Sequence, residues 1–382
     1  MAEQRRPYVA IYRDSWLAPS EGFVIESALH FRRYRPIAVG LSEEAPFHPL
    51  LESVPRSILG NSVSARKVDR YRLGGFPAGF WRQRLGPDVA IVHAHFGPDA
   101  IIARHIARDL EVPFVATLHG YDVTVRDRGL LRSAQGRSYL AGRRAIKRGA
   151  ARLLPVSDFL HAEMLAKGWP SERTVTHYLG IDTNFWSPNG SELGHDVVFV
   201  GRLIELKGAD AAIHSFAQLC AEFPESRLHI VGYGPEEARL VAMAASLPNV
   251  VFHGGASRDQ IRALFAQSRV VVAPSRLVDG RREALNLVAV QAAACGLPVV
   301  AYDSGGLREA VERDVTGLLV AEDDAEALTN ALRRVLADTE LAAALGRAGR
   351  ELAETRFSIA RQSDILESHY DEAIREFQQS KR

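Results

Sequence analysis

Short apolar runs alternate with helical patterns from one end of the chain to the other. In the first half the runs are Tyr8–Tyr12, Pro36–Leu41, Val89–His95, Pro113–Leu118, Arg152–Val156 and Thr174–Leu179. In the second half they are Val197–Leu203, Arg227–Val231, Val250–His253, Val270–Ala273, Pro298–Tyr302 and Gly317–Val320. They are short, continuous and rich in β-branched residues, the pattern of strands buried on both faces. Between them the 3.6-residue period predicts helices such as Asp99–Leu110, Asp158–Lys167, Ala209–Glu222, Asp259–Gln267 and Ala325–Leu336. Strand–helix alternation predicts parallel, doubly wound α/β sheets. It occurs twice in 382 residues, which predicts two Rossmann-like domains. Residues 42–75 read as a long polar loop, and 122–136 carry no clear period.

The stretch Asp182–Asp196, with Pro188, two glycines, two serines and two asparagines, has linker composition. It sets the expected domains at 1–185 and 186–357. Two helical patterns close the chain, Glu340–Thr355 and Ser358–Phe377. The second, within 358–382, has length to spare after a complete domain and is expected to pack back towards the first.

Composition narrows the class. Hydrophobic residues are 47% and charged residues 24%, which excludes a disordered chain. Two cysteines, Cys220 and Cys295, exclude a disulfide framework and a multi-thiolate metal site. No apolar stretch reaches 18 residues and the first residues lack a signal-peptide pattern, so a cytoplasmic location is expected. The net charge of +1 hides two halves of opposite sign: residues 1–190 carry +8 and residues 191–382 carry −7. Within 126–152 lie nine Lys and Arg, with Arg144 and Arg148 one helical turn apart. This segment reads either as a solvated basic face or as a surface for an anionic membrane or a diphosphate-linked acceptor. The acidic half and the lack of recognition motifs speak against a nucleic-acid partner.

Ligands of doubly wound sheets bind beyond the carboxyl ends of the strands, so glycines and polar residues there are the candidates. After the first run stand Ser20-Glu21-Gly22-Phe23 at a helix start, either an anion site or an ordinary cap. After the third stand His93-Ala-His95-Phe96-Gly97. A structural His pair is favoured there over a metal site, because no third ligand follows at a sensible spacing. Leu118-His119-Gly120-Tyr121-Asp122 places an imidazole at a strand end, beside a glycine that allows close approach.

In the second half, Gly201-Arg202 and Lys207-Gly208 put two cations beside a helix start, a diphosphate-binding arrangement. Gly232-Tyr-Gly234 follows a strand but lacks the third glycine of a dinucleotide fingerprint. Glu283-Ala284-Leu285-Asn286 is read as the start of a helix running to Cys295, with Gly296 as its stop. On that reading Glu283 and Gln291, eight apart, share one side of it.

These motifs together resemble the family 4 retaining glycosyltransferases of GT-B fold. The likeness is carried by Gly201-Arg202…Lys207-Gly208, Glu283…Gln291-Ala-Ala-Ala-Cys-Gly-Leu-Pro, Ser304-Gly-Gly-Leu-Arg-Glu309 and Thr316-Gly-Leu-Leu-Val. In the first half it is carried by Ser20–Phe23, His93–Gly97, Leu118–Asp122, Pro155–Phe159 and Tyr178–Asp182. The resemblance spans nearly the whole chain. It implies two Rossmann-like domains facing across a cleft, the first binding acceptor and the second binding donor. It further implies transfer of a hexose from a UDP- or GDP-linked sugar to a glycan or lipid-linked acceptor, in cell-surface polysaccharide synthesis. No metal, cofactor or covalent nucleophile is implied.

Residue by residue, the resemblance implies that Arg202 and Lys207 hold the diphosphate and steady the leaving group. Glu283 contacts the sugar hydroxyls and His119 lies near the transferred sugar. Gly22, Gly201, Gly232, Gly234, Ala284, Leu285, Asn286 and Gln291 line the donor. Glu21, His95, Tyr121 and Asp122 lie on the acceptor side. Gln291 stands where the family has a ribose-binding Glu, and Ala284 where it has Gly. A soluble small-molecule acceptor, or a non-catalytic GT-B partner protein, is the alternative reading.

Overall fold

The computed structural model describes residues 6–16, 21–43, 49–60, 64–190 and 193–382. The chain divides into two units, residues 1–180 with 359–382 and residues 181–358. In the first, six parallel strands are β1 (Tyr8–Trp16), β2 (Arg35–Glu43), β3 (Arg56–Ile58), β4 (Val89–His95), β5 (Phe114–Leu118) and β6 (Arg152–Pro155). Their order is β3-β2-β1-β4-β5-β6. In the second, β7 (Asp196–Val200), β8 (Leu228–Val231), β9 (Val250–Gly254), β10 (Ser268–Ala273), β11 (Val299–Tyr302) and β12 (Gly317–Val320) run in the order β12-β11-β10-β7-β8-β9. Both sheets are the parallel, doubly wound kind that strand–helix alternation predicts. In each, strand order reverses once, between β1 and β4 and between β7 and β10. A crevice opens at such a reversal, because neighbouring connections leave on opposite faces.

Four differences from the sequence reading have local causes. The run Thr174–Leu179 forms only a bridge at Thr174 beside Leu153. Val175 N–H donates to Leu153 O and His177 N–H to Pro155 O, but Pro155 has no N–H to return. The polar stretch 42–75 is structured in part, holding the end of β2, the short edge strand β3 and helix Ala65–Gly74. Residues 122–136 hold the short helix Asp127–Leu130 and the start of helix Ala134–Gly149, whose Ser133 cap accepts from Gly136 N–H. The division falls at 180/181 rather than 185/186. Ile181 N–H bonds Phe357 O, and Trp186 is buried against Phe265, which holds 181–185 to the second unit.

Residues 359–382 complete the first unit. Helix Ile359–Ser380 buries Ile359, Gln362, Leu366, Tyr370 and Ala373 at three- and four-residue spacing. Leu366, Tyr370 and Ala373 enter one apolar core with Val9, Ile11, Phe31, Ile91 and Val115. Buried Glu367 accepts from the backbone N–H groups of Arg33 (2.6 Å) and Tyr34 (3.0 Å), and Arg152 holds Glu376 at 2.6 Å.

Tyr370 is fully buried, edge-on to Phe31 and Tyr34 with centroids 5.7 and 5.5 Å away, and its hydroxyl meets His93 Nδ1 at 2.6 Å. Tyr370→Ala removes the ring and strands a buried imidazole. The expected loss is about 3–5 kcal/mol, read as a fall in Tm of roughly 10 °C. Tyr370→Phe keeps the ring and is expected to lose only about 1–3 kcal/mol, from the imidazole. Equal losses in the two variants would show that packing is not the source.

Candidate active site

At the carboxyl ends of β4 and β5, three histidines line up. His93 and His95 share one face of β4, rings 4.4 Å apart. His93 is held by Tyr370 and by Thr117 Oγ1 at 2.8 Å, so it is a core residue. His95 Nδ1 lies 3.1 Å from His119 Nε2, and one of the two rings donates to the other. Burial keeps both imidazoles neutral, with their pKa values well below the usual range, and the Arg13 charge adds to this at each. A neutral pair can accept at one ring and donate at the other.

Asp122 sits beneath this turn. Its carboxylate accepts from the N–H groups of Gly97 (2.9 Å), His119 (3.1 Å) and Gly120 (2.9 Å). It therefore shapes the turn that aims His119, rather than standing open on the acceptor side. Tyr121, by contrast, is half exposed. Gly22 starts the short helix Phe23–Glu26, and the Phe23 ring packs on His119 at 5.1 Å, so the Gly22 loop reaches the imidazole. Ser20 lies outside the described residues.

Sequence reasoning missed the charged network that ties these parts together. Arg13 Nη2 donates to Glu21 at 2.7 Å and Nη1 to Asp99 at 2.8 Å, while the guanidinium lies 4.3 Å from the Phe96 ring centroid. Phe96 in turn packs on His119 at 4.3 Å. Asp14 takes hydrogen bonds from Tyr12, Arg72 and Gln135, and Gln135 also donates to Asp99. Burial, with Asp14 beside it, pushes the Asp99 carboxyl well above the usual carboxylate range. The only local signal was a charged pair, Arg13-Asp14, directly after an apolar run.

In the second unit the candidates gather where the strand order reverses. Lys207 follows β7 and Glu283 follows β10, and the two form an ion pair. Ser275 Oγ donates to the same Glu283 oxygen at 3.3 Å. Gly208 turns the chain into helix Ala209–Ala217 with φ +72°, and a Cβ there would stand 2.0 Å from Pro274 O. Only glycine lets the Lys207 turn lie so close to the end of β10. Gly201 lies against the Lys207 stem, and Gly232 and Gly234 lie against the backbone of 201–203. Arg202 is exposed beside them.

The helix expected to begin at Glu283 begins four residues later, at Leu287. Asn286 caps it, its side chain accepting from Ala289 N–H at 3.0 Å. Glu283 lies in the loop before the cap, where its carbonyl accepts from Gly306 N–H. Glu283 and Gln291 are therefore not on one helix side. Glu283 reaches Lys207, and Gln291 stands half-buried within helix Leu287–Ala294. Ala284 and Leu285 are buried in the same loop. Among the described residues no group of three or more His, Cys, Asp or Glu side chains is placed to hold a metal ion.

Comparison with known proteins places this architecture. Residues 181–352 match the family model described as glycosyl transferases group 1, and residues 42–180 match the glycosyl transferase 4-like domain. The D-inositol 3-phosphate glycosyltransferase of Mycolicibacterium paratuberculosis is 31% identical over 94% of this chain and 87% of its own length. The chain belongs to glycosyltransferase family 4. A second relative of the glycosyltransferase is a GDP-mannose-dependent alpha-(1-6)-phosphatidylinositol monomannoside mannosyltransferase of Mycolicibacterium smegmatis. It is 32% identical over 63% of this chain and 65% of its own length. The crystal structure of Anabaena HepE in complex with UDP-glucose matches the glycosyltransferase with a TM-score of 0.76. That match covers 95% of this chain and 98% of the other at 20% identity, a shared GT-B fold. No helix of the described residues is long and apolar enough to cross a membrane.

Proposed function

We propose that this glycosyltransferase moves a hexose from a UDP- or GDP-linked sugar to a hydroxyl of a glycan or lipid-linked acceptor, with retention at the anomeric carbon and without a metal. We take its setting to be cell-surface polysaccharide synthesis. The observation that carries the reading is the Lys207–Glu283 pair at the strand reversal of the second unit, with Arg202 exposed beside it.

Cleaving the sugar–phosphate bond builds negative charge on the leaving diphosphate. Lys207, held by Glu283, meets that charge as a fixed cation that needs little reorganisation as it develops, and the exposed Arg202 adds a second. Glu283 accepts from sugar hydroxyls, and its bond to Lys207 keeps both groups aimed at one point. Gln291 offers an uncharged amide to the ribose. Neutral His119, aimed by Asp122 and backed by His95, hydrogen-bonds the transferred sugar. The leaving phosphate takes the acceptor proton on the face it departs from, so no protein nucleophile is needed. The phosphatidylinositol mannoside named for the mycobacterial relative supports a lipid-linked acceptor. The inositol phosphate named for the relative aligned over 94% of the chain favours a second reading, a soluble phosphorylated polyol.

A thermal-shift panel with UDP-glucose, UDP-galactose, GDP-mannose and the free nucleotides tests the donor. A ligand at a hundred times its Kd stabilises the folded state by about 2.7 kcal/mol, a rise of roughly 5–10 °C for a unit of this size. One base is expected to shift the transition, and its sugar conjugate is expected to be hydrolysed slowly without acceptor. A flat response to every nucleotide sugar would overturn the donor assignment.

A further inference from the structure

The first unit carries a second cationic feature, away from the β4 and β5 strand ends. Helix Ala134–Gly149 and the chain at Gly168–Arg173 flank an open groove of about 810 Å³. Arg143, Arg144, Lys147, Arg148 and Arg173 line it against one carboxylate, Glu172. A smaller hollow of about 420 Å³ shares Arg143 and Lys147 and extends to Asp122, the residue that holds the His119 turn.

The cations divide by what already holds them. Arg143 grips Asp127 with two bonds of 2.9 and 3.1 Å. Lys147 donates to the carbonyls of Lys167 and Gly168 and sits over the Trp169 ring. Arg173 reaches the Arg148 carbonyl. Those contacts build the walls. Arg144 and Arg148 are exposed, and among the described residues neither guanidinium has a carboxylate partner. They lie one turn apart on one helix face, where like charges work against the helix. Fold stability therefore does not account for the pair. Two guanidinium forks one turn apart suit the oxygens of a phosphate or diphosphate. A concave groove suits a discrete anionic group better than a flat bilayer.

We propose that this groove is an anion subsite that holds the phosphate or diphosphate of the acceptor through Arg144 and Arg148, with the acceptor's sugar end directed along the shared hollow towards His119. The acceptor assignment rests on the transfer reaction proposed above; the anion site itself does not.

The test is titration of the full chain with inorganic pyrophosphate, followed by calorimetry. The Arg202→Ala/Lys207→Ala protein lacks both cations of the proposed donor site and is expected to keep a pyrophosphate site of unchanged affinity. Adding Arg144→Gln/Arg148→Gln is expected to weaken that site at least tenfold, with an unchanged thermal transition as the folding control. In the otherwise unaltered enzyme, Arg144→Gln/Arg148→Gln is expected to leave nucleotide-sugar hydrolysis intact. It should raise KM for a polyprenyl-diphosphate-linked sugar tenfold or more. Co-sedimentation with phosphatidylcholine vesicles, with and without phosphatidylglycerol, separates a membrane surface from a phosphate site. Pyrophosphate affinity unchanged by the double substitution overturns the subsite. So does loss of vesicle binding in that variant with no effect on pyrophosphate. Absence of hydrolysis and transfer in the unaltered enzyme would instead overturn the reaction and leave the pyrophosphate result standing.

Discussion

Lys207→Ala is expected to lower kcat by about 10²-fold or more, the size of effect that follows loss of one fixed donor to a developing anion. The lysine is held in place twice over: its carbon stem lies against Gly201, and its ammonium is paired with Glu283. The variant loses the cation and, among the described residues, leaves the Glu283 carboxylate with the Ser275 hydroxyl as its hydrogen-bond partner. Chemistry should therefore suffer more than donor affinity, which Arg202 and the backbone partly retain. Single-turnover rates measured beside nucleotide Kd values separate the two. Turnover unchanged in Lys207→Ala would remove the lysine from the mechanism. A rate loss accompanied by an equal loss of thermal stability would assign it to the fold instead.

Acid should unfold the first unit well before its surface carboxylates are exhausted. His93 and His177 are buried, and burial lowers their pKa values to about 3 and about 4. His177 Nε2 donates to Gln362 O at 3.0 Å, and His93 is enclosed by Tyr370 and Thr117. In the unfolded chain both titrate near 6.5. Each therefore favours the folded state fully above pH 6.5. That contribution falls by about 1.4 kcal/mol for every pH unit below 6.5. The loss ends only near the folded values, so the two together remove several kcal/mol between pH 6.5 and 4. Urea midpoints measured across that range should fall steeply, and His177→Gln should flatten the slope. A midpoint independent of pH down to 4 would show that these imidazoles charge freely in the folded protein.

What could be read along the chain was set by local patterns. Val270–Ala273 and Val299–Tyr302 are buried on both faces, so their continuous β-branched runs mark them. Strand β3 is three residues at a sheet edge, Arg56-Ser-Ile58, with no apolar run. The false strand at Thr174–Leu179 failed because of a missing N–H on a neighbour, Pro155, some twenty residues away. The helix start was misplaced because Ala284 and Leu285 continue the apolar run of the helix, although Asn286 was a legible cap.

The candidate site divides in the same way. Glycines and cations beyond strand ends, such as Gly201, Lys207 and His119, were visible as positions. The Arg13 bridge from Glu21 to Asp99 was not, since its partners are 8 and 86 residues away and neither spacing has a period.

The helix at Ile359–Ser380 also has a temporal meaning. A ribosome makes residues 1–180 first, yet the apolar surface around Phe31, Ile91 and Val115 is covered only when Leu366, Tyr370 and Ala373 have been made. Residues 181–358 have their own core and need nothing later. During synthesis the second unit can therefore mature while the first waits, open, for the last helix to emerge. A message cut short near residue 358 would yield a finished second unit tethered to an unfinished first, a product that chaperones and proteases can recognise at once.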